Sequence, residues 1–264
     1  MKYTILLIFM VTGIFASVIK SPIISIDKNK KVATIQVEHI DVGVSGFVVH
    51  HITPEHSAIL KNATVISFDK EHKVAKIAMT PFTALRNNSL PYGKWKPAVG
   101  DTVELAFGYS RALLIAPNEE IYHRITKSVH IQWIHPDLFA TVLSFAGHPT
   151  PLQSDFRDFA NAASVGLLFI YLDQKVYTLD SKSFKILNIT DAPFVVKKKQ
   201  KPFYTRVEEI DANWWGAGSS EMKEYAPHYY ELLVKNNPKN QALYTIVKSH
   251  KNLVDLLDEF EIGK

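Results

Sequence analysis

The fourteen residues ISIDKNKKVATIQV (24–37) return forty-two positions later as ISFDKEHKVAKIAM (66–79), identical at eight of the fourteen positions. Each copy reads as a strand, a tight polar turn at Asp27–Lys30 or Asp69–His72, and a second strand. Ala33, Ile35 and Val37, like Ala75, Ile77 and Met79, alternate with Thr34 and Gln36 or Lys76 and Ala78, so each hairpin buries one face more deeply. A duplicated hairpin leaves edges and apolar faces that have to be covered. GVSGFVVHHI (43–52) and KPAVGDTVELAF (96–107) add further strands, with Pro97 and Gly100-Asp101 marking the entry to the second. Residues 18–112 thus carry at least six strands and little helix. Closure or packing removes exposed edges, which predicts a small, partly closed β-barrel or a sandwich.

The pattern changes near Pro117. PNEEIYHRITKS opens with Asn118 as a candidate N-cap and places Glu119 and Glu120 in the first turn, where the helix dipole favours acids. DLFATVLSFAG (137–147) spaces Leu138, Val142 and Phe145 along a second helix, and SDFRDFANAAS (154–164) forms a third. VGLLFIYLD and KVYTLD pair as strands turning at Asp173-Gln174, followed by SFKILNI. This makes residues 113–212 an α/β lobe. From 213 to 264 the helical period dominates. Ser220 caps a helix from Glu221 to about Lys235, and a second runs from Asn240 to Phe260 with Leu243, Ile246, Val247, His250, Leu253, Val254 and Leu257 on one stripe. The expected class is α+β: a β-rich lobe with an internal repeat over 17–112, the α/β lobe and a C-terminal helical hairpin.

Residues 1–16, MKYTILLIFMVTGIFA, have the form of a secretory signal: Lys2, an uncharged apolar run, and Ala16-Ser17 as the cleavage point. An exported chain, periplasmic or on the outer cell surface, follows, with no membrane span once the signal is removed. Cysteine is absent, so neither disulfides nor thiolate metal sites hold the fold. The formal charge of +4 becomes +3 when Lys2 is removed, too mild an excess for a nucleic-acid partner.

Chemistry-bearing motifs are weak. His50 and His51 are adjacent on a strand and face opposite ways, so with His39 and His56 they form no obvious metal site. His123, His130, His135 and His148 read as turn or capping residues. GYSRA (108–112) lacks the last glycine of a nucleophile elbow, and WGAGSSE (215–221) lacks the lysine of a phosphate loop; its glycines leave Trp214-Trp215 room to fold onto the core. Asn62, Asn87 and Asn188 stand in N-x-[ST] matches. YGKWK (92–96) and KKKQK (197–201) are the basic features, the latter expected as a solvated loop. No catalytic residue, cofactor or metal is expected.

Longer blocks are more specific. LPYGKWKPAVGD (90–101), SRALLIAPNEEIYHRITKS (110–128), IQWIHPDLFATVLSFAGHPTPL (131–152) and NWWGAGSSEM (213–222) resemble the N-terminal domain of the plasminogen-binding proteins PgbA and PgbB, exported surface proteins of epsilonproteobacteria. The resemblance covers nearly all of the chain after the signal and implies capture of host plasminogen through lysines. A kringle lysine site offers carboxylates for the ammonium, an aromatic trough for the stem and a cation for a terminal carboxylate. A last-residue lysine satisfies all three. Lys264 is therefore the first expected contact, with Lys197, Lys198, Lys199 and Lys201 as weaker internal ones. The alternative expectation is a structural or assembly protein of the cell envelope, bound to another envelope protein through the β lobe or the terminal helices.

Overall fold

The computed structural model describes residues 18–82, 95–196 and 198–263. The class is α+β: a closed six-stranded barrel leads into a five-stranded mixed sheet flanked by helices. In the barrel, β1 (Ile19–Asp27), β2 (Val32–Gln36), β3 (Ser45–His51), β4 (Ser57–Asp69), β5 (Val74–Pro81) and β6 (Thr102–Leu105) follow the order β1-β2-β5-β4-β3-β6. Every pairing is antiparallel. Closure leaves no open sheet edge. Ile23, Ala33, Ile35, Ala63, Val65, Ala75, Ile77, Val103 and Leu105 fill the interior, alternating small with large side chains as a narrow barrel requires.

The repeat sets the symmetry of this barrel. Its copies are β1–β2 and β4–β5, and their second strands pair with each other: Thr34 lies opposite its equivalent, Lys76, with Ala33 against Ile77 and Ile35 against Ala75. A local two-fold relation follows. Bulges fall between Ile23 and Ser25 and between Val65 and Ser67, forty-two residues apart, and turn the equivalent Ile24 and Ile66 outward. Asp27 Oδ1 accepts from the Asn29 and Lys30 N–H groups, and Asp69 Oδ1 from those of Glu71 and His72, so both turns close identically.

The relation extends to a third strand. The Gly43 N–H donates to the Val65 carbonyl and the Gly100 N–H to the equivalent Ile23 carbonyl, both glycines at positive φ (100° and 95°). β6 is therefore the counterpart of β3, and the counterparts Phe47 and Glu104 face each other across the β3–β6 pair. The barrel consists of two three-stranded units, β1–β3 and β4–β6, interlocked about a dyad. At the β3–β6 seam, Gly46 passes so close that a Cβ there would sit 1.9 Å from the Glu104 carbonyl oxygen.

The second sheet has the order β11-β10-β9-β7-β8. Its strands are β7 (Arg111–Ile115), β8 (Gln132–Ile134), β9 (Leu167–Leu172), β10 (Lys175–Asp180) and β11 (Ile186–Asp191). β7 runs parallel to β8 and β9; the remaining pairs are antiparallel. Between them lie α1 (Glu119–Ser128), α2 (Pro136–Ala146) and α3 (Gln153–Ala163). Asn118 caps α1, its side chain accepting from the Ile121 N–H at 2.9 Å. Strand alternation divides the core. Ala112, Leu114, Leu167, Phe169 and Tyr171 share a core with the barrel and α1, whereas Leu113, Ile115, Leu168, Ile170 and Leu172 pack against α2, α3 and the C-terminal helices.

Those C-terminal elements depart from the periodicity reading. The helix expected from Glu221 begins at Tyr225 (α4, Tyr225–Asn236). Starting a turn earlier would place Pro227 in the helix interior, where its ring clashes with the Lys223 carbonyl. The helix expected over 240–260 splits into α5 (Gln241–Lys248) and a 3₁₀ helix (Lys251–Glu259). Ser249 Oγ donates to the Ile246 carbonyl and His250 Nδ1 lies 2.8 Å from the same oxygen, diverting it from the helical ladder. Trp214 and Trp215 do not fold onto the core; both are almost fully exposed. The neighbouring backbone is anchored instead, because Asn213 donates to the Ala146 and Gly147 carbonyls at the end of α2.

Asp180, at the end of β10, joins the two sheets. It is fully buried and accepts from the Ser45 N–H of β3, the Tyr109 hydroxyl, and the Lys182 and Ser183 N–H groups of its own turn. Burial pushes the Tyr109 phenol far up from its ordinary pKa, and the Asp180 charge adds to the rise, so Tyr109 is a permanent donor. Ser183 Oγ donates to the Gly43 carbonyl at 2.6 Å, seating the same turn on the barrel.

Candidate functional site

Of the five lysines singled out in the sequence, Lys197 and Lys264 lie outside the described residues, as do the signal segment 1–16, Asn87 and most of YGKWK. Lys198, Lys199 and Lys201 are exposed on an irregular loop after β11. That loop is pinned along its backbone. Asn118 Nδ2 donates to the Lys198 carbonyl at 2.9 Å, the Gln200 N–H to the Pro117 carbonyl at 2.7 Å, and Gln200 Nε2 to the Thr205 carbonyl at 2.7 Å. Phe203, fully buried, fixes its far end. The ammonium groups therefore project from a fixed base.

Lys199 and Lys201 meet a lysine that sequence reasoning missed. Together with Lys223 they line an open cleft of about 350 Å³ between the loop, the start of α4 and the 3₁₀ helix, which Asp173, Glu224 and His250 also border. Lys201 Nζ donates to the Lys223 carbonyl at 3.2 Å. Lys223 carried no signal in the sequence, because the contact joins positions 22 apart that only the turn before α4 brings together. The rim thus carries both cations and carboxylates.

The histidines disperse. His50 Nδ1 is 2.7 Å from Asp101 Oδ1 and its ring stacks on Trp95, while His56 lies 3.0 Å from Thr53 Oγ1 in the β3–β4 turn. His39 packs edge-on to Phe68. Among the described residues no three His, Asp or Glu side chains gather as a metal site. His135 caps α2, its Nδ1 accepting from the Asp137 N–H, and burial lowers its pKa from the ordinary value although Asp137 opposes the shift. Asp137 is itself buried enough to raise its pKa, yet hydrogen bonds from Arg206 and Thr205 hold it below the usual carboxylate value. His148 Nδ1 lies 2.9 Å from the buried Asp155, which also accepts from the Leu152 N–H. Among the described residues no helix is long and apolar enough to cross a membrane.

The fold is a duplicated β-barrel joined to a mixed sheet covered by helices, and residues 18–233 match the family described as "Plasminogen-binding protein pgbA N-terminal", to which the chain belongs. It is 30% identical over 221 residues to the plasminogen-binding protein PgbA of Helicobacter pylori strain J99, and equally to that of strain 26695. The alignment covers 82% of this chain but 48% and 47% of those proteins, so the chain spans about half the length of the relatives it matches. No solved structure matches the chain. The family match contains the cleft lysines Lys199, Lys201 and Lys223 and stops short of Lys264.

Proposed function

We propose that this is an exported, non-enzymatic binding protein that captures plasminogen by presenting lysines to its kringle domains. The observation that carries the reading is membership of a family whose relatives are named for plasminogen binding, over the segment that holds the pinned lysine cleft. Lys264 is the first contact in this reading wherever it ends the chain, since a terminal lysine carries an ammonium and a carboxylate together. Lys197, Lys198, Lys199 and Lys201 act as the weaker internal set, joined by Lys223. A single lysine in a kringle binds on the order of micromolar to millimolar, so tight capture comes from several sites engaged at once. Export through the signal segment 1–16 places the protein at the periplasm or the cell surface.

The test is binding of immobilised protein to plasminogen with free lysine as competitor. Competition is expected, with deletion of Lys264 removing most of the affinity and Lys199→Gln/Lys201→Gln/Lys223→Gln removing a few-fold more. Binding that resists free lysine overturns the reading; binding untouched by loss of Lys264 confines it to the internal cleft. The envelope reading has one observation of its own. Trp214 and Trp215, and Phe145 on the adjoining α2, are exposed aromatic side chains that do not line the lysine cleft. A Trp214→Ser/Trp215→Ser variant that captures plasminogen normally yet loses an envelope phenotype favours that role.

A further inference from the structure

The junction of barrel and sheet contains a pocket that the lysine reading does not use. Phe47 of β3, Phe82 after β5 and Phe107 after β6 form its aromatic walls, with Phe47 edge-on to both others at 5.7 and 5.5 Å between ring centres. Asn161 and Ser164 at the end of α3 border it, and the Lys182 ammonium stands 4.0 Å from the centre of the Phe47 ring. The volume, about 140 Å³, compares with the ~150 Å³ of an apolar cavity that accepts benzene.

Lys182 is the anomaly. A lysine at this position could point into water, yet its ammonium lies against an aromatic face in a confined site. Burial lowers its pKa from the ordinary value, with the Asp180 charge opposing the shift. Asp180 cannot serve as its partner, because that carboxylate is already committed to the Ser45, Lys182 and Ser183 N–H groups and the Tyr109 hydroxyl. The same bonds fix the turn from which the side chain reaches across the Phe47 ring. Among the described residues the half-buried ammonium makes no ion pair; partial burial of an unpaired cation costs stability, and an incoming anion offsets that cost.

We propose that this pocket binds a small carboxylate bearing an aromatic or branched apolar group, with the acid on Lys182 and the apolar group between Phe47, Phe82 and Phe107. The acid can be a free small molecule or the C-terminal residue of a peptide. The site shares no residue with the lysine cleft, and stands or falls independently of plasminogen capture.

Benzoate titrated into the full chain and followed by calorimetry or ligand-observed NMR tests it. Saturable binding, millimolar or tighter, is expected. Benzyl alcohol, which lacks the charge, and acetate, which lacks the ring, are expected to bind at least tenfold more weakly. Lys182→Met and Phe107→Ala should each weaken benzoate at least tenfold, while Lys182→Arg keeps it within about threefold. Phe107 is 43% exposed, so its truncation tests the pocket without opening the core. Stronger binding of N-acetylphenylalanine than of benzoate supports a peptide end as the ligand, and the reverse supports a free acid. Absence of saturation, benzyl alcohol binding as well as benzoate, or benzoate binding unchanged in Lys182→Met overturns the proposal.

Discussion

Replacing Asp180 orphans donors on both sides of the molecule, because one carboxylate satisfies the Ser45 N–H of the barrel and the Tyr109 hydroxyl of the connection to the sheet. Each buried donor left unpaired costs roughly 1–3 kcal/mol. Asp180→Ala is therefore expected to destabilise the protein by about 3 kcal/mol or more in denaturant unfolding, and a loss below about 1 kcal/mol would show that water replaces the carboxylate. His228 acts through protons. It is packed on α4 with Nε2–H donating to the Pro151 carbonyl at 2.9 Å, and burial lowers its pKa below 6.5 against the opposing effects of that hydrogen bond and Glu231. Below that pH the unfolded chain takes up a proton that the folded state resists, so stability falls as pH drops from about 6.5 towards 5. His228→Gln keeps a donor towards Pro151 and should flatten that fall. His135, lowered in the same direction, remains to supply part of it.

At the level of elements, the barrel depends on a close approach between strands. Gly46→Ala would push a methyl into the Glu104 carbonyl, and a loss of about 3 kcal/mol or more is expected, measured against Ile24→Thr at the exposed bulge, which should stay within about 0.5 kcal/mol. The duplicated hairpin and the Asn118 cap were legible because both depend on local pattern: alternating side chains, an Asp that folds back on its turn, an Asn before an acidic first turn. The third repeated strand was not. β3 and β6 share geometry at Gly43 and Gly100 but little side-chain identity, and fifteen more residues separate β5 from β6 than separate β2 from β3 when Gly43 and Gly100 are taken as equivalent (57 against 42 between copies). The late start of α4 was readable in principle from Pro227. The exposure of Trp214 and Trp215 was not, since it follows from Asn213 being held at the end of α2 by contacts 67 residues away. The lysine cleft was half visible, as KKKQK, while Lys223 and the pinning of the loop are products of the fold.

For the whole molecule, the sheet is the shared wall of both cores: one face continues into the barrel interior and the other carries α2 to α5. Neither lobe keeps its apolar surface covered if the sheet melts. Calorimetry on the chain from residue 18 is therefore expected to show one unfolding transition, and two resolved transitions would mean that the barrel stands alone. The dyad has a consequence for how such a molecule acquires new chemistry. At its axis the twin positions have diverged, one to the aromatic Phe47 beneath Lys182 and the other to Glu104, paired with Lys20. A gene that carries the same architectural half twice can let one half go on holding the walls together while its sibling drifts towards a guest.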